Sequence, residues 1–293
     1  MDTRNDIREF LISRRAKITP DHAGLPAYGV KRRVAGLRRE EVAMLAGISV
    51  EYYTRLERGN ASGVSEDVLE GIARALQLDE AERAHLFDLV RSANRGTRPA
   101  RARPSQERVR PTVQRILDAM VGVPAYVRNG RLDILAANPL GYALYSPVFA
   151  ESTGTANMAR FIFLSHRAVE FFHDWEQIAN DAVAILRAEA GRDPYDRRLS
   201  DLIGELSTRS DEFRVRWAAH NVKFHRTGTK TLHHPVVGDL TLAYEALELP
   251  GDSGQRILVY TAEPGSTSDD ALKLLATWSA TTPITDPHAD AAR

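Results

Sequence analysis

Leu37-Arg38-Arg39-Glu40-Glu41-Val42-Ala43-Met44-Leu45-Ala46-Gly47-Ile48-Ser49-Val50-Glu51-Tyr52-Tyr53-Thr54-Arg55-Leu56-Glu57-Arg58-Gly59 is the stretch whose reading decides the fold. It reads as two short helices with a tight turn at Gly47. Glycine takes the positive φ of a sharp helix-to-helix turn at little steric cost. Ala43 lies one helical turn earlier, and its small side chain lets a second helix cross close by. Ile48, Tyr53 and Leu56 can then pack against Val42 and Ala46. Val50, Glu51, Tyr52, Thr54 and Arg55 are left on the outer face of the second helix. This is the pattern of a helix-turn-helix whose second helix is free to enter a DNA major groove.

The flanks complete a compact all-α domain. Ile7, Phe10, Leu11 and Arg14 follow helical spacing and predict a helix over residues 5–17. A long irregular stretch with Pro20, Gly24, Pro26 and Gly29 follows, ending in Lys31-Arg32-Arg33. Long loops inside a domain are uncommon and often functional. Arg38 and Arg39 stand where the motif's first helix begins. The helix N-terminus is already partly positive, so cations are poorly placed there, and Ser, Thr, Asp or Asn would cap better. A DNA phosphate at that spot would accept from both arginines and the free N–H groups. Ser65-Glu66-Asp67 opens a further helix, and Asp79 with Glu82 forms a capping box for a fifth. The expected first domain is residues 1–93.

Residues 94–111 are rich in Arg and Pro and predict a basic linker. Residues 112–281 mix helices and strands. Pro124 to Arg128, a turn at Asn129-Gly130, and Arg131 to Ala136 predict a two-residue hairpin. A helical middle spans 157–219. Three strands follow, with Lys230–Val237 and Leu240–Leu249 joined through Gly238-Asp239, then Gln255–Ala262, and a last helix from Ser268. The fold class is α+β: a five-helix domain, then an antiparallel sheet with flanking helices. Residues 282–293 read as a mobile tail.

Composition is consistent with this division. Residues 1–110 hold 21 Lys/Arg against 16 Asp/Glu, whereas residues 111–293 hold 18 against 23. A basic module joined to an acidic one suits nucleic-acid binding by the first half. There is no cysteine, hence no disulfide framework or thiolate metal site. No early apolar run or long uncharged apolar segment is present, so no signal peptide, no membrane contact and a cytoplasmic location are expected.

Further residues carry a family resemblance. They are Arg32 to Ala43, Gly47 to Gly59, Asp174-Trp175-Glu176, His233 to Gly238, and Val259 to Gly265. Residues 37–59 resemble the helix-turn-helix of the xenobiotic-response-element family, whose DNA-binding domains are Cro- and repressor-like. Over about residues 5–279 the chain resembles the MmyB-like subset of that family. The resemblance implies a PAS-like sensor domain that holds a fatty acid or similar apolar ligand. It also implies a bacterial transcription factor that binds operators as a homodimer. Arg38 departs from the family's capping Ser/Thr, and the long basic loop is a second departure.

By position in the motif, Val50, Glu51, Tyr52 and Arg55 would meet base edges. Arg55 could bridge a guanine's O6 and N7, and Val50 could touch a thymine methyl. Arg32, Arg33, Arg38, Arg39, Ser49 and Thr54 would hold phosphates. The operator is expected to be near-palindromic double-stranded DNA, with half-sites about one helical turn or a multiple apart. A PAS-like sheet packed on helices leaves a pocket lined by aromatics. Its candidates are Tyr142, Phe161, Trp175, Phe213, Trp217, His220 and Tyr244, each of which is alternatively plain core. Arg160 or His220 could meet a carboxylate. His225, His233 and His234 look clustered, but adjacent strand residues point to opposite faces, so no metal is expected. Gly251-Asp252-Ser253-Gly254 suits a hairpin turn. No nucleophile elbow, P-loop or dinucleotide fingerprint is present, so neither catalysis nor a cofactor is expected. The alternative to a ligand-responsive regulator is a scaffold tethered to DNA, with a protein partner on its C-terminal half.

Overall fold

The computed structural model describes residues 3–25, 34–94, 108–219, 227–251 and 254–281. Arg32, Arg33, most of the 94–111 linker, His220, His225 and the 282–293 tail lie outside them. The chain divides into two units. The first takes in the N-terminal helices with residues 187–204 and 215–224, and the second takes in the rest. No helix of the described residues is long and apolar enough to cross a membrane.

The first unit opens with five helices: α1 (Thr3–Lys17), α2 (Arg39–Ala46), α3 (Val50–Glu57), α4 (Glu66–Ala75) and α5 (Glu80–Asn94). Their apolar stripes close one core, with Ile7, Phe10, Leu37, Val42, Tyr53, Leu56, Ile72 and Leu86 fully buried. Gly47 has φ 70° and ends α2. Its N–H reaches Met44 O, and Ile48 N reaches Ala43 O, which makes a Schellman cap. Ala43 is buried as expected, and Gly71 on α4 lets that helix come close to the end of α2. A Cβ there would stand 2.7 Å from Ala46 O. The capping box before α5 is formed by Asp79 and Glu82 in both directions, at 2.8 and 3.2 Å.

The second unit is built on a five-stranded antiparallel sheet in the order β2-β1-β5-β4-β3. Its strands are β1 (Ala125–Arg128), β2 (Ile134–Ala137), β3 (Thr227–His234), β4 (Gly238–Glu248) and β5 (Arg256–Thr261). Helices surround it: α6 (Pro111–Ala119), α7 (Pro139–Leu144), α8 (Ser146–Ala150), α9 (Met158–Leu164), α10 (Arg167–Phe171) and α14 (Thr267–Thr281). The expected helical middle continues through α11 (Trp175–Arg192), α12 (Arg197–Arg209) and α13 (Asp211–Ala218), which share residues with the first unit. Val113 and Leu117 of α6 pack on Ala125, Val127, Leu135 and Ile257 on one sheet face.

Both hairpins differ from the sequence expectation. Asn129-Gly130 does not form a two-residue turn with two positive φ angles. The loop is longer, and Leu132 carries the positive φ, at 67°. Asn129 Oδ1 instead accepts from Arg131 N and Asp133 N at 2.9 and 3.0 Å. Asp133 is held in turn by Asn129 Nδ2, Arg131 Nε and Asn157 Nδ2, at 2.8, 3.1 and 2.7 Å. This polar knot outweighs the local turn preference. The second hairpin turns earlier than expected, at Pro235–Val237. Proline has no N–H for the ladder, so pairing stops at His234, opposite Gly238 with φ 74°.

Candidate nucleic-acid interface and buried cavity

The outer face of α3 is a shallow concavity lined by Val50, Glu51, Thr54, Arg55, Arg58 and Asn60. Ser49 caps the helix, its Oγ accepting from Tyr52 N at 3.1 Å. Val50 is 40% exposed, although it is an apolar residue at a helix start. The Arg55 guanidinium lies over the Tyr52 ring, 4.7 Å from its centroid. That stacking holds a flexible cation in one place at the mouth of the concavity. The structure therefore brings Val50, Glu51, Thr54 and Arg55 together, with Tyr52 and Ser49 as their supports. Arg58 and Asn60 belong to the same face and escaped the sequence reading. Arg58 follows Arg55 by three and Glu51 by seven, so helical spacing was the signal available.

Arg38 is the N-cap of α2, and its side chain makes no cap bond. The missing cap is partly made good from the other direction, because Glu41 Oε2 accepts from Arg38 N at 2.6 Å. Arg39 is not simply waiting for a phosphate. Its Nε pairs with Glu57, whose other oxygen takes Arg15 Nε at 2.7 Å. Glu57 is 1% exposed, whereas the Arg39 side chain is 47% exposed. One buried carboxylate thus aims the arginine while leaving its outer N–H groups to solvent. Burial and the same carboxylate push the Tyr53 phenol well above its usual range.

In the second unit a half-open cavity of about 30 Å³ lies between the sheet and α9–α11. Its apolar wall includes Met158, Ile162, Phe172, Ile178 and Ile185, and its polar wall is Tyr126, Arg128, Asp181 and Lys230. Arg128 and Lys230 are 2% and 8% exposed. Arg128 Nη1 donates to Asn129 O at 3.2 Å. Its Nη2 is enclosed with no partner among the described residues. Burial pushes the guanidinium down to about 10, still charged at neutral pH. Lys230 Nζ donates to Tyr260 Oη at 3.3 Å. Burial, then the Arg128 charge, push it down to about 7, against the pull of Asp181. Tyr145 Oη donates to Tyr260 Oη at 2.8 Å. Two cations thus face an apolar space with one carboxylate near them, an arrangement that favours an added anion.

The aromatics expected to line a pocket lie elsewhere. None of the seven described candidates is on this cavity's wall. Phe161 packs edge-on to Phe171 and Phe172. Phe213 does the same to Phe163. Trp175 Nε1 donates to Ile162 O at 3.0 Å. Tyr142 is tilted against Phe149. Trp217 falls in the first unit, where Arg187 stacks over it at 4.1 Å. Arg160 is an exposed partner of Glu205. Tyr244 comes nearest, with Lys230 Nζ 5.1 Å from its ring centroid. The residues missed were Arg128 and Lys230. Lys230, Leu232 and His234 alternate to one buried face of β3, so a lysine on an apolar face was the available signal. His233 and His234 do diverge. His234 is buried and neutral, its Nε2 donating to Ala143 O at 3.0 Å while Nδ1 accepts from Val236 N.

Two family models match the chain. One, described as a helix-turn-helix domain, matches residues 31–86. The other, described as an MmyB-like transcription regulator ligand binding domain, matches residues 109–275, more than half of the chain. A comparison with curated proteins gives no match.

Proposed function

The chain belongs to the MmyB-like transcription regulators, DNA-binding proteins with a ligand-binding domain, and from that premise we propose that a fatty-acid-like ligand in the second unit modulates binding of a homodimer to a near-palindromic operator. The matches at 31–86 and 109–275 support a linker over 94–111 between the two functions. Val50, Glu51, Tyr52 and Arg55 read bases. Arg38, Arg39, Ser49 and Thr54, with Arg32 and Arg33 of the basic loop, hold phosphates.

The observation that carries the ligand reading is the enclosed, unpartnered Nη2 of Arg128 beside Lys230. A carboxylate would satisfy it and offset both buried charges. The apolar remainder of the wall suits an acyl chain. At about 30 Å³ the cavity has room for roughly two waters. A long chain must therefore push Met158, Ile162, Ile178 or Ile185 aside. That displacement gives the ligand different affinities for two states of the domain, as any allosteric effect requires. A coupling of about 1–3 kcal/mol changes operator affinity about 5–150-fold.

The test compares a long-chain fatty acid with the alcohol of equal length. The acid should raise the thermal midpoint and shift operator affinity, and Arg128→Met should remove both effects. No response to acids of any chain length, or equal responses to acid and alcohol, overturns the reading.

A further inference from the structure

His173, His233 and Asp239 come from three separate segments of the second unit. His173 follows α10, and the other two face each other across the β3–β4 hairpin as a register pair. Backbone fixes all three. His173 N donates to Thr231 O at 3.2 Å, and Phe172 bridges to Leu232. Asp239 Oδ1 lies 2.6 Å from His233 Nδ1 and 3.1 Å from His173 Nε2. The three donor atoms all lie within 4.8 Å of one another. The side chains of His173, His233 and Asp239 are 47%, 57% and 65% exposed, so water and ions reach them freely.

The geometry points to a site for a divalent transition-metal ion, Zn²⁺ by donor type, formed by His173, His233 and Asp239. Two imidazole nitrogens and one carboxylate oxygen are borderline donors that suit Zn²⁺, Co²⁺ or Ni²⁺ better than Mg²⁺ or Ca²⁺. An ion about 2.0–2.1 Å from each donor needs only small rotations of exposed side chains. Both imidazoles already point at one carboxylate oxygen, and their hydrogen bonds hold the Asp239 carboxyl below its usual range, so it stays ionised. Three protein donors leave at least one position to water. An ion held here ties the α10–α11 connection to the β3–β4 hairpin. Because Phe172 of that connection is on the cavity wall, the ion also stiffens the wall.

Calorimetric titration of the full chain with Zn²⁺, and the visible bands of added Co²⁺, test this directly. The wild type should bind one ion, with release of protons on binding. It should also gain thermal stability with added Zn²⁺. His233→Ala and Asp239→Asn should each weaken binding about tenfold or more, while His166→Ala, at an exposed histidine outside the cluster, leaves it unchanged. Circular dichroism confirms that each variant folds. Equal Zn²⁺ affinity in wild type and in His173→Ala/His233→Ala, or no Co²⁺ bands in the wild type, overturns the proposal.

Discussion

The concave face of α3 and the buried cavity of the second unit are opposite solutions to holding a charged partner. On the helix-turn-helix the cations stay in water and are aimed from behind, Arg39 at the start of α2 by Glu57 and Arg55 on α3 by the Tyr52 ring. In the cavity the cations are themselves buried, and part of their hydrogen-bonding capacity is left unused. An exposed aimed charge costs the fold little and meets a polyanion wherever it comes. A buried unused charge costs the fold much and selects a partner that can follow it inside. The first design suits DNA, and the second suits a small ligand with one anionic end.

The sharpest way to break this comparison is Glu57→Ala. It removes the carboxylate shared by Arg15 and Arg39, so two cations lose a buried partner. Loss of about 3 kcal/mol of stability is expected, read as a lower urea midpoint by circular dichroism. Operator and random DNA should lose affinity together. Unchanged stability would mean that the α3 face is not held from behind by buried charge.

Arg128→Met tests the other side, with the opposite sign. Replacing an incompletely paired buried cation by an apolar chain of similar length should stabilise the fold by about 1–3 kcal/mol. Carboxylate binding should be lost. A variant less stable than wild type would show that the guanidinium is satisfied in the free protein. At the exposed face, Arg55→Ala should cost about 1–3 kcal/mol of discrimination at one base position. Arg39→Ala should weaken all sequences alike and lower the salt slope by about 1. Quantitative footprinting across ionic strengths separates the two.

The pH dependence separates the regions further. Lys230 titrates at about 7 in the folded chain, against an ordinary value of 10.5. Below pH 7 it is charged in both folded and unfolded chains, so the full penalty of burying the charge is present. Between about 7 and 10.5 only the unfolded chain holds the proton, so that penalty is relieved as pH rises. An anionic ligand needs the protonated amine, so its affinity should fall through the same window, by up to about tenfold per pH unit. Titrations from pH 6 to 9 should show stability of the free protein and ligand affinity moving in opposite directions. Parallel movement would exclude Lys230 as an anion partner.

The two regions were also unequally legible in the sequence. The helix-turn-helix declares itself locally: Gly47 at the turn, Ser49 at the cap, and Tyr53 and Leu56 three apart facing inward. In β4 the sequence partly alternates at Leu240, Leu242, Tyr244, Ala246 and Leu247, and the structure buries the first three but leaves Leu247 exposed. The cavity is written in no single stretch. Arg128 and Lys230 lie far apart in the chain, and strand order brings them to one space. Aromatic content points instead to Phe161 and Phe213, which pack edge-on against other rings and do not line this cavity. The Asn129-Gly130 turn was misread for the same reason, since Asp133 and the distant Asn157 decide that loop.

Legibility and energy therefore run in opposite directions, and the helix ends measure the small extreme. α2 and α4 end alike, each with a left-handed residue and a Schellman pair of bonds. The residue is Gly47 after α2 and Gln77, with φ 46°, after α4. Nothing lies within 4 Å of a Cβ added at Gly47. Gly47→Ala should therefore cost only the conformational term, about 1 kcal/mol, and leave operator specificity intact. Gln77→Gly should move the other way, because glycine relieves the left-handed strain. It also loosens the unfolded chain and forfeits the exposed bond from Gln77 Nε2 to His22 O at 2.7 Å, so the net gain is about 0.5 kcal/mol at most. Thermal midpoints of the pair decide it. If Gly47→Ala costs as much as Glu57→Ala, the turn and not the buried carboxylate holds the DNA-facing helix in place.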